Sequence, residues 1–101
     1  MAVVTGAGSG VGRAIALRFA HEGWKVALVG RRETSLSATI AEAPPSEVDN
    51  LVPFGCDVSQ AAEVEAMGSA VLARFGQVDV LVNSAGINVP ARSFAALSID
   101  D

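Results

Sequence analysis

The sequence is short of residues on which several protein classes depend: it has no tyrosine, one cysteine, one lysine and one tryptophan. A single cysteine, Cys56, cannot form an internal disulfide, which excludes a small fold stapled by disulfides. No apolar run approaches the length that crosses a bilayer, and no basic segment followed by an apolar one marks a signal peptide. We therefore expect a soluble, cytoplasmic protein with no membrane partner.

Positive charge is also scarce. Seven Lys and Arg residues stand against eleven Asp and Glu, so the net charge is -4 and the sequence pI is about 4.8. The basic residues are scattered along the chain, and no basic face is predicted that would follow a nucleic-acid backbone. We expect neither a nucleic-acid partner nor a metal site.

Small and aliphatic residues are abundant, and half of the 101 residues are hydrophobic. Short β-branched runs alternate with helical patterns, which is typical of an α/β fold with a buried parallel sheet. No repeat or linker divides the chain, so residues 1–101 are expected to belong to one domain. The predicted strands are residues 2–5, 25–29, 51–55 and 78–83, and the predicted helices are residues 11–22, 34–42 and 59–75.

Individual residues refine this α/β prediction. Pro53 lies inside the third strand, and because proline cannot donate to a β-ladder, that strand belongs at a sheet edge. The edge position agrees with half of a Rossmann-type doubly wound sheet of strand order 3-2-1-4. In the first helix, Ala14, Ile15 and Phe19 are expected to face the sheet, and Ser59 is expected to cap the third helix.

A glycine-rich loop, TGAGSGVG, directly follows the first strand and precedes the first helix. Its spacing does not fit G-x-G-x-x-G but fits T-G-x-x-x-G-x-G, carried by Thr5, Gly6, Gly10 and Gly12. Glycines at such a turn let backbone N–H groups approach a pyrophosphate at the positive end of the helix dipole. The absence of a following Gly-Lys-Ser/Thr argues against a P-loop, and a glycine-rich turn without a ligand remains the alternative.

The end of the second predicted strand indicates which dinucleotide the loop would bind. In dinucleotide-binding folds an acid about 20 residues beyond the loop accepts hydrogen bonds from the ribose 2′-hydroxyl. Here the sequence reads Gly30-Arg31-Arg32, which offers no acid and two guanidiniums whose donors match a phosphate. The sequence therefore favours NADP over NAD, with Arg31 the better candidate, and the alternative is a solvated pair that leads the second helix.

With these motifs the chain resembles the short-chain dehydrogenase/reductase family over essentially its whole length. Residues 5–12 are similar to that family's glycine motif, Gly30-Arg31 to its NADP-preferring form, Asp57-Val58 to its adenine-contacting pair, and residues 79–86 to its fourth-strand N-N-A-G signature. The resemblance implies the NADP-binding portion of an oxidoreductase that acts on a carbonyl or a secondary alcohol. The complete set of predicted cofactor-binding residues is Gly6, Ser9, Gly10, Val11, Gly12, Arg31, Arg32, Asp57, Val58, Asn83, Ala85 and Gly86.

Two of these residues also have a purely structural interpretation. Asp57 could lead the third helix and pair with Gln60 as a cap, and Asn83 could form the turn at the end of a strand. The resemblance implies that Asn83 also ties the central strands together, and that Ser84 replaces the family's second asparagine with little effect.

The family's catalytic tyrosine, lysine and serine cannot be assigned in this sequence. Tyrosine is absent altogether, so no Tyr-x-x-x-Lys exists and no catalytic residue is predicted within residues 1–101. The last four residues match a capping box, which predicts that the chain is the N-terminal part of a longer domain. The alternative function is a complete, noncatalytic nucleotide-binding or oligomerising module. An unpaired fourth strand would favour a homo-oligomer or indicate a missing remainder.

Overall fold

The computed structural model describes residues 1–84, which form a four-stranded parallel sheet with helices on both faces. The strands are β1 (Ala2–Thr5), β2 (Val26–Gly30), β3 (Leu51–Gly55) and β4 (Val80–Asn83). Their spatial order is β3-β2-β1-β4, which confirms the predicted α/β fold and the predicted strand order. The predictions for Ala85, Gly86 and the C-terminal capping box concern residues outside those described.

Three α-helices connect these strands and cover the sheet. They are α1 (Gly10–His21), α2 (Glu33–Ala41) and α3 (Ala61–Phe75), and a short 3₁₀ helix at Val48–Asn50 precedes β3. Each α-helix begins and ends within two residues of its predicted range. The 3₁₀ helix was not predicted, because three residues are too few to show a hydrophobic period.

The start of α3 differs from the prediction that Ser59 caps it. Gln60 occupies the N-cap position, while the Ser59 hydroxyl donates to Oδ1 of Asp57 at 2.6 Å. The prediction was wrong because a hydroxyl beside a carboxylate forms a charge-assisted hydrogen bond, which is stronger than a bond to a neutral partner.

Side chains that alternate along the strands divide the core into two clusters, one on each face of the sheet. On one face, Val3 and Val29 pack with Val64 and Val71 of α3, and all four side chains are completely buried. On the other face, strand residues pack against α1 and α2. The inner strands β1 and β2 are therefore covered on both faces, as their near-continuous hydrophobic sequences require.

α1 approaches the sheet through small residues. Its buried positions are four residues apart and are occupied by Gly12, Ala16 and Ala20. The prediction that Ala14 faces the sheet is wrong, since Ala14 is exposed, whereas Ile15 and Phe19 are half-buried at the margin of the contact. Small side chains let the helix backbone lie close to the strands, and the larger ones are left along its flank.

The outer strand β3 carries the proline that the sequence placed at an edge. Pro53 lies opposite Leu28 of β2, and among the described residues no further strand lies beyond β3. The edge position is therefore confirmed. Within residues 1–84, no helix is both long enough and apolar enough to cross a membrane.

Candidate functional site

The carboxyl ends of β1, β2 and β3 meet at one edge of the sheet, where the segments that follow them enclose a cleft. The cleft has a volume of about 410 Å³. It is lined by Gly6, Gly8, Ser9, Gly30, Arg31, Arg32, Ser35, Leu36, Cys56, Asp57 and Val58. The structure thus brings together residues from three segments that are far apart in the sequence.

Part of the predicted cofactor-binding set lines this cleft, and part lies beside it. Those that line it are Gly6, Ser9, Arg31, Arg32, Asp57 and Val58. Gly10, Val11 and Gly12 lie in the first turn of α1 and Asn83 ends β4, outside the lining. Sequence reasoning missed Gly8, which is not one of the fixed positions of the T-G-x-x-x-G-x-G motif. It also missed Ser35 and Leu36, which α2 presents to the cleft.

The turn from β1 into α1 depends on glycine at particular positions. Gly6 and Gly10 have φ angles of 63° and 55°, in the left-handed region that side chains disfavour. At Gly12 an added Cβ would collide with the carbonyl oxygen of Gly6 and with Oγ of Ser84. The loop therefore folds back closely on the first turn of α1, which any larger residue at Gly12 would prevent.

The N-terminus of α1 is suited to an anion. Ser9 is the N-cap residue, but its side chain makes no capping hydrogen bond, and the first turn contains no acidic residue. The free N–H groups and the positive end of the helix dipole favour a negatively charged group at such a place. The side chain of Val11, 69% exposed, borders the same turn.

Arg31 and Arg32 follow β2 and line the same cleft as the glycine loop. Both are exposed, and neither forms an ion pair with a carboxylate within residues 1–84. Two guanidiniums without a protein partner in this part of the chain offer forked donors to a phosphate in the cleft. Arg32 is also the N-cap residue of α2, which agrees with the helix-leading position expected for the pair.

Asp57 lies where β3 leaves the sheet, and its carboxylate is turned toward the chain that follows. Its Oδ1 accepts hydrogen bonds from the hydroxyl and the N–H of Ser59, at 2.6 and 3.0 Å. Its own N–H donates to Oε1 of Glu63 at 2.8 Å. The side chain of Asp57 is therefore fixed by Ser59, whereas the structural interpretation had paired it with Gln60.

The residues on either side of Asp57 are buried. Cys56 is buried among the residues that pack against α3, and its N–H donates to the Gly30 carbonyl oxygen at 2.8 Å. Burial raises the pKa of the Cys56 thiol, and the carboxylates of Glu63 and Asp57 raise it further. A thiol that stays protonated is a poor nucleophile, so Cys56 has the character of a core residue.

A hydrogen-bond network joins the ends of β1 and β4 directly beneath the glycine loop. The Thr5 hydroxyl donates to Oδ1 of Asn83 at 3.1 Å and accepts from the Ser84 N–H at 3.0 Å. Oγ of Ser84 donates to the Thr5 carbonyl oxygen. Asn83 and Ser84 thus tie the end of β4 to the end of β1, and Ser84 participates more directly than the sequence suggested.

Potential metal ligands do not cluster in this part of the protein. Within residues 1–84, no group of three or more His, Cys, Asp or Glu side chains is arranged to hold a metal ion. The polar side chains that line the cleft are the hydroxyls of Ser9 and Ser35, the guanidiniums of Arg31 and Arg32 and the carboxylate of Asp57.

Comparison with known proteins relates the whole sequence to one family. A family model described as short chain dehydrogenase matches residues 1–101. Levodione reductase from Leifsonia aquatica is 43% identical over 97% of this chain, which covers 38% of that protein. The chain spans about a third of the length of the curated relatives that it matches.

Solved structures show the same relationship. An actinorhodin polyketide ketoreductase with NADPH is 43% identical, with a TM-score of 0.77, and the match covers 85% of this chain and 33% of that one. A 3-ketoacyl-(acyl-carrier-protein) reductase from Brucella melitensis complexed with NADH is 38% identical, with a TM-score of 0.70, and the match covers 79% of this chain and 31% of that one.

Proposed function

The chain belongs to the short-chain dehydrogenase family, and we propose that it is the NADP-binding portion of an oxidoreductase that acts on a carbonyl or a secondary alcohol. The observation that carries this proposal is the cleft in which the glycine loop after β1 and Arg31 after β2 converge. The loop and the start of α1 suit a pyrophosphate, and the guanidinium suits a ribose 2′-phosphate.

In this proposal the cofactor lies across the carboxyl edge of the sheet. Backbone and small side chains around the pyrophosphate come from Gly6, Ser9, Gly10, Val11 and Gly12. Arg31, with Arg32 beside it, binds the 2′-phosphate, while Asp57 and Val58 flank the adenine. Asn83, Ala85 and Gly86 lie along the adenosine ribose. The close packing of the loop on the first turn of α1, which leaves no room for a Cβ at Gly12, supports this arrangement.

The preference for NADP over NAD rests on charge. One of the similar structures carries NADPH and another carries NADH, so the residues that follow β2 are the observation that separates the two cofactors. An acid that would bind a 2′-hydroxyl is absent from Gly30-Arg31-Arg32, and it would repel a phosphate if present. A charge-assisted hydrogen bond from Arg31 would stabilise the phosphorylated ribose instead.

The bound nicotinamide would supply or accept a hydride, and the residues of this chain would bind and orient it. The chain contains no tyrosine to move the accompanying proton. We therefore place the catalytic residues in a part of the protein other than residues 1–101. The proposal that these residues form the N-terminal part of one Rossmann-type domain is supported by their coverage of about a third of each relative.

Two broader properties belong to the same proposal. A cytoplasmic location is compatible with the free, buried thiol of Cys56. Homo-oligomer formation is supported by the exposed face of β4, where Leu81 is 37% exposed.

The direct test is a titration of the 101-residue chain with NADPH, followed by the fluorescence of the bound cofactor, with an activity assay on a secondary alcohol and NADP in parallel. We expect saturable binding and no turnover. Absence of binding would refute the proposed site, and turnover would refute the assignment of catalysis to another part of the protein.

A further inference from the structure

Hydrogen bonds from two side chains connect the glycine loop to α2. Neither side chain belongs to the predicted cofactor-binding residues. Arg13 of α1 donates from Nη2 to the carbonyl oxygen of Gly8 at 2.5 Å and from Nε to Oγ1 of Thr39 at 2.9 Å. The Thr39 hydroxyl in turn donates to the carbonyl oxygen of Ala7 at 2.7 Å. Two successive carbonyl groups of the loop are thus held by side chains, and we call Arg13 and Thr39 the loop clamp.

The loop clamp is built into a close contact between the loop and α2. Thr39 is completely buried, and a Cβ added at Gly8 would lie 2.7 Å from Cβ of Ser35. Nη1 of Arg13 also donates to Oε2 of Glu42 at 2.9 Å, which anchors the guanidinium from the end of α2. Gly8, which is not a fixed position of the sequence motif, therefore lets the loop pack closely against α2. The loop clamp then holds the loop in this contact.

The hydrogen bonds to the carbonyl groups of Ala7 and Gly8 also determine where the N–H groups of the loop point. Because the C=O and N–H of a trans peptide point in opposite directions, fixing the carbonyls of Ala7 and Gly8 turns the N–H groups of Gly8 and Ser9 away from the loop clamp. Within residues 1–84, neither N–H donates a backbone hydrogen bond, and both residues line the cleft. These donors are the ones that a bound phosphate would use.

We propose that Arg13 and Thr39 are positioning residues for the dinucleotide. They lock the loop that binds the pyrophosphate to the helix that follows Arg31 and Arg32, so that the two phosphate subsites keep a fixed separation. This inference rests on the proposed function, since only a ligand that spans both subsites needs the fixed distance. A loosened loop lowers the population of the binding-competent conformation and weakens the apparent affinity by the same factor.

The first test compares a ligand that spans both subsites with one that reaches a single subsite. Thr39→Val removes the hydroxyl at nearly constant volume, Thr39→Ser retains it, and Thr34→Val alters an exposed threonine of the same helix. In Thr39→Val we expect the Kd for NADPH to rise about tenfold and the Kd for 2′-AMP to stay within about twofold. Thr39→Ser and Thr34→Val should bind both ligands like the wild type.

A second variant avoids substitution at a buried position. Arg13→Gln should weaken NADPH binding in the same selective way, whereas Arg18→Gln, at an exposed arginine of α1 paired with Glu22, should leave it unchanged. Equal losses of NADPH and 2′-AMP affinity, or no loss of either, would overturn the role of the loop clamp.

A measurement without cofactor separates this inference from the proposed function. The backbone order parameters of Gly8 and Ser9, from ¹⁵N relaxation of the ligand-free protein, should be about 0.85 in the wild type and below about 0.6 in Thr39→Val and Arg13→Gln. Unchanged order parameters would overturn the loop clamp even if NADPH binds. A wild type that has ordered loop amides but binds no nucleotide would instead refute the proposed function.

Discussion

At the residue scale, Asp57 is held in its charged form by Ser59, which follows it in the chain, and by Arg31. The Ser59 hydroxyl and N–H both donate to its carboxylate, and the positive charge of Arg31 adds a smaller contribution. Together they lower the pKa of Asp57 below its ordinary value of 3.8. A carboxyl whose pKa is depressed in the folded state stabilises the fold above its unfolded pKa, and this contribution is lost as the pH falls through the folded value.

The Ser59→Ala substitution tests this account of Asp57. We expect the pKa of Asp57 to rise toward 3.8, because the first cause of its depression is removed. An NMR titration of the side-chain carboxyl carbon between about pH 2 and about pH 6 measures the change. Ser69→Ala, at an exposed position of α3, is the matched control and should leave the titration where it is in the wild type. An Asp57 pKa that is insensitive to Ser59→Ala would contradict the assignment.

The residues of the cleft differ in how far the sequence could reveal them. Arg31 and Asp57 were predictable as neighbours, because the carboxyl ends of parallel strands meet at one edge of a sheet. Gly8 and Ser35 were not, since their contact depends on how closely the loop packs against α2. No periodicity or motif records a distance between two segments that are remote in the chain.

At the scale of elements, the pairing of β1 with β4 depends on Thr5. The side chain is completely buried, and its hydroxyl both donates to Asn83 and accepts from the Ser84 N–H. A buried hydroxyl with both functions satisfied links the strand ends that support the glycine loop. Without the Thr5 hydroxyl, the N–H group of Ser84 would lose the acceptor that it has in this structure.

Replacing Thr5 with Val should therefore destabilise the sheet with little change in volume. We expect a loss of about 1–3 kcal/mol in the free energy of unfolding, the usual cost of leaving a buried polar group unsatisfied. Urea denaturation followed by circular dichroism measures it, with Thr34→Val, an exposed threonine of α2, as the control. If both variants unfold at the same urea concentration as the wild type, the network does not stabilise the β1–β4 pair.

The elements themselves were largely predictable from the sequence. The βαβ alternation predicted a parallel sheet, and Pro53 agreed with an outer position for the third strand in the order 3-2-1-4. The orientation of α1 was not predictable from the sequence. Ala14 and Ala16 are equally hydrophobic, and only packing decides which one is buried. Ser59 does not cap α3 because its hydroxyl donates to the neighbouring carboxylate of Asp57, a contact that no helical period reveals.

At the scale of the whole molecule, β4, like β3, is a strand that residues 1–84 leave with one neighbour. It pairs with β1 on one side, and no described strand lies on its other side. Leu81 in this strand is 37% exposed. An unpaired strand edge with an exposed aliphatic side chain favours association with another chain.

The 101-residue chain is therefore expected to form a dimer or a higher oligomer at micromolar concentration. Size-exclusion chromatography with light scattering measures the mass directly. Leu81→Lys should shift the population toward monomer, because a charge at a strand edge opposes edge-to-edge pairing. Ala73→Lys, which adds the same charge at an exposed position of α3, should not. A wild-type chain that elutes as a stable monomer would count against oligomer formation.

In the proposed function the molecule holds a dinucleotide between its glycine loop and Arg31 and selects NADPH by the charge of that arginine. The ratio of the Kd for NADH to the Kd for NADPH, measured for the wild type, Arg31→Gln and the control Arg18→Gln, tests it most directly. A charge-assisted hydrogen bond of about 1.5–3 kcal/mol predicts a ratio of roughly ten to a few hundred in the wild type and in Arg18→Gln. The ratio should fall close to one in Arg31→Gln, and a wild type that binds NADH as tightly as NADPH would contradict the claim.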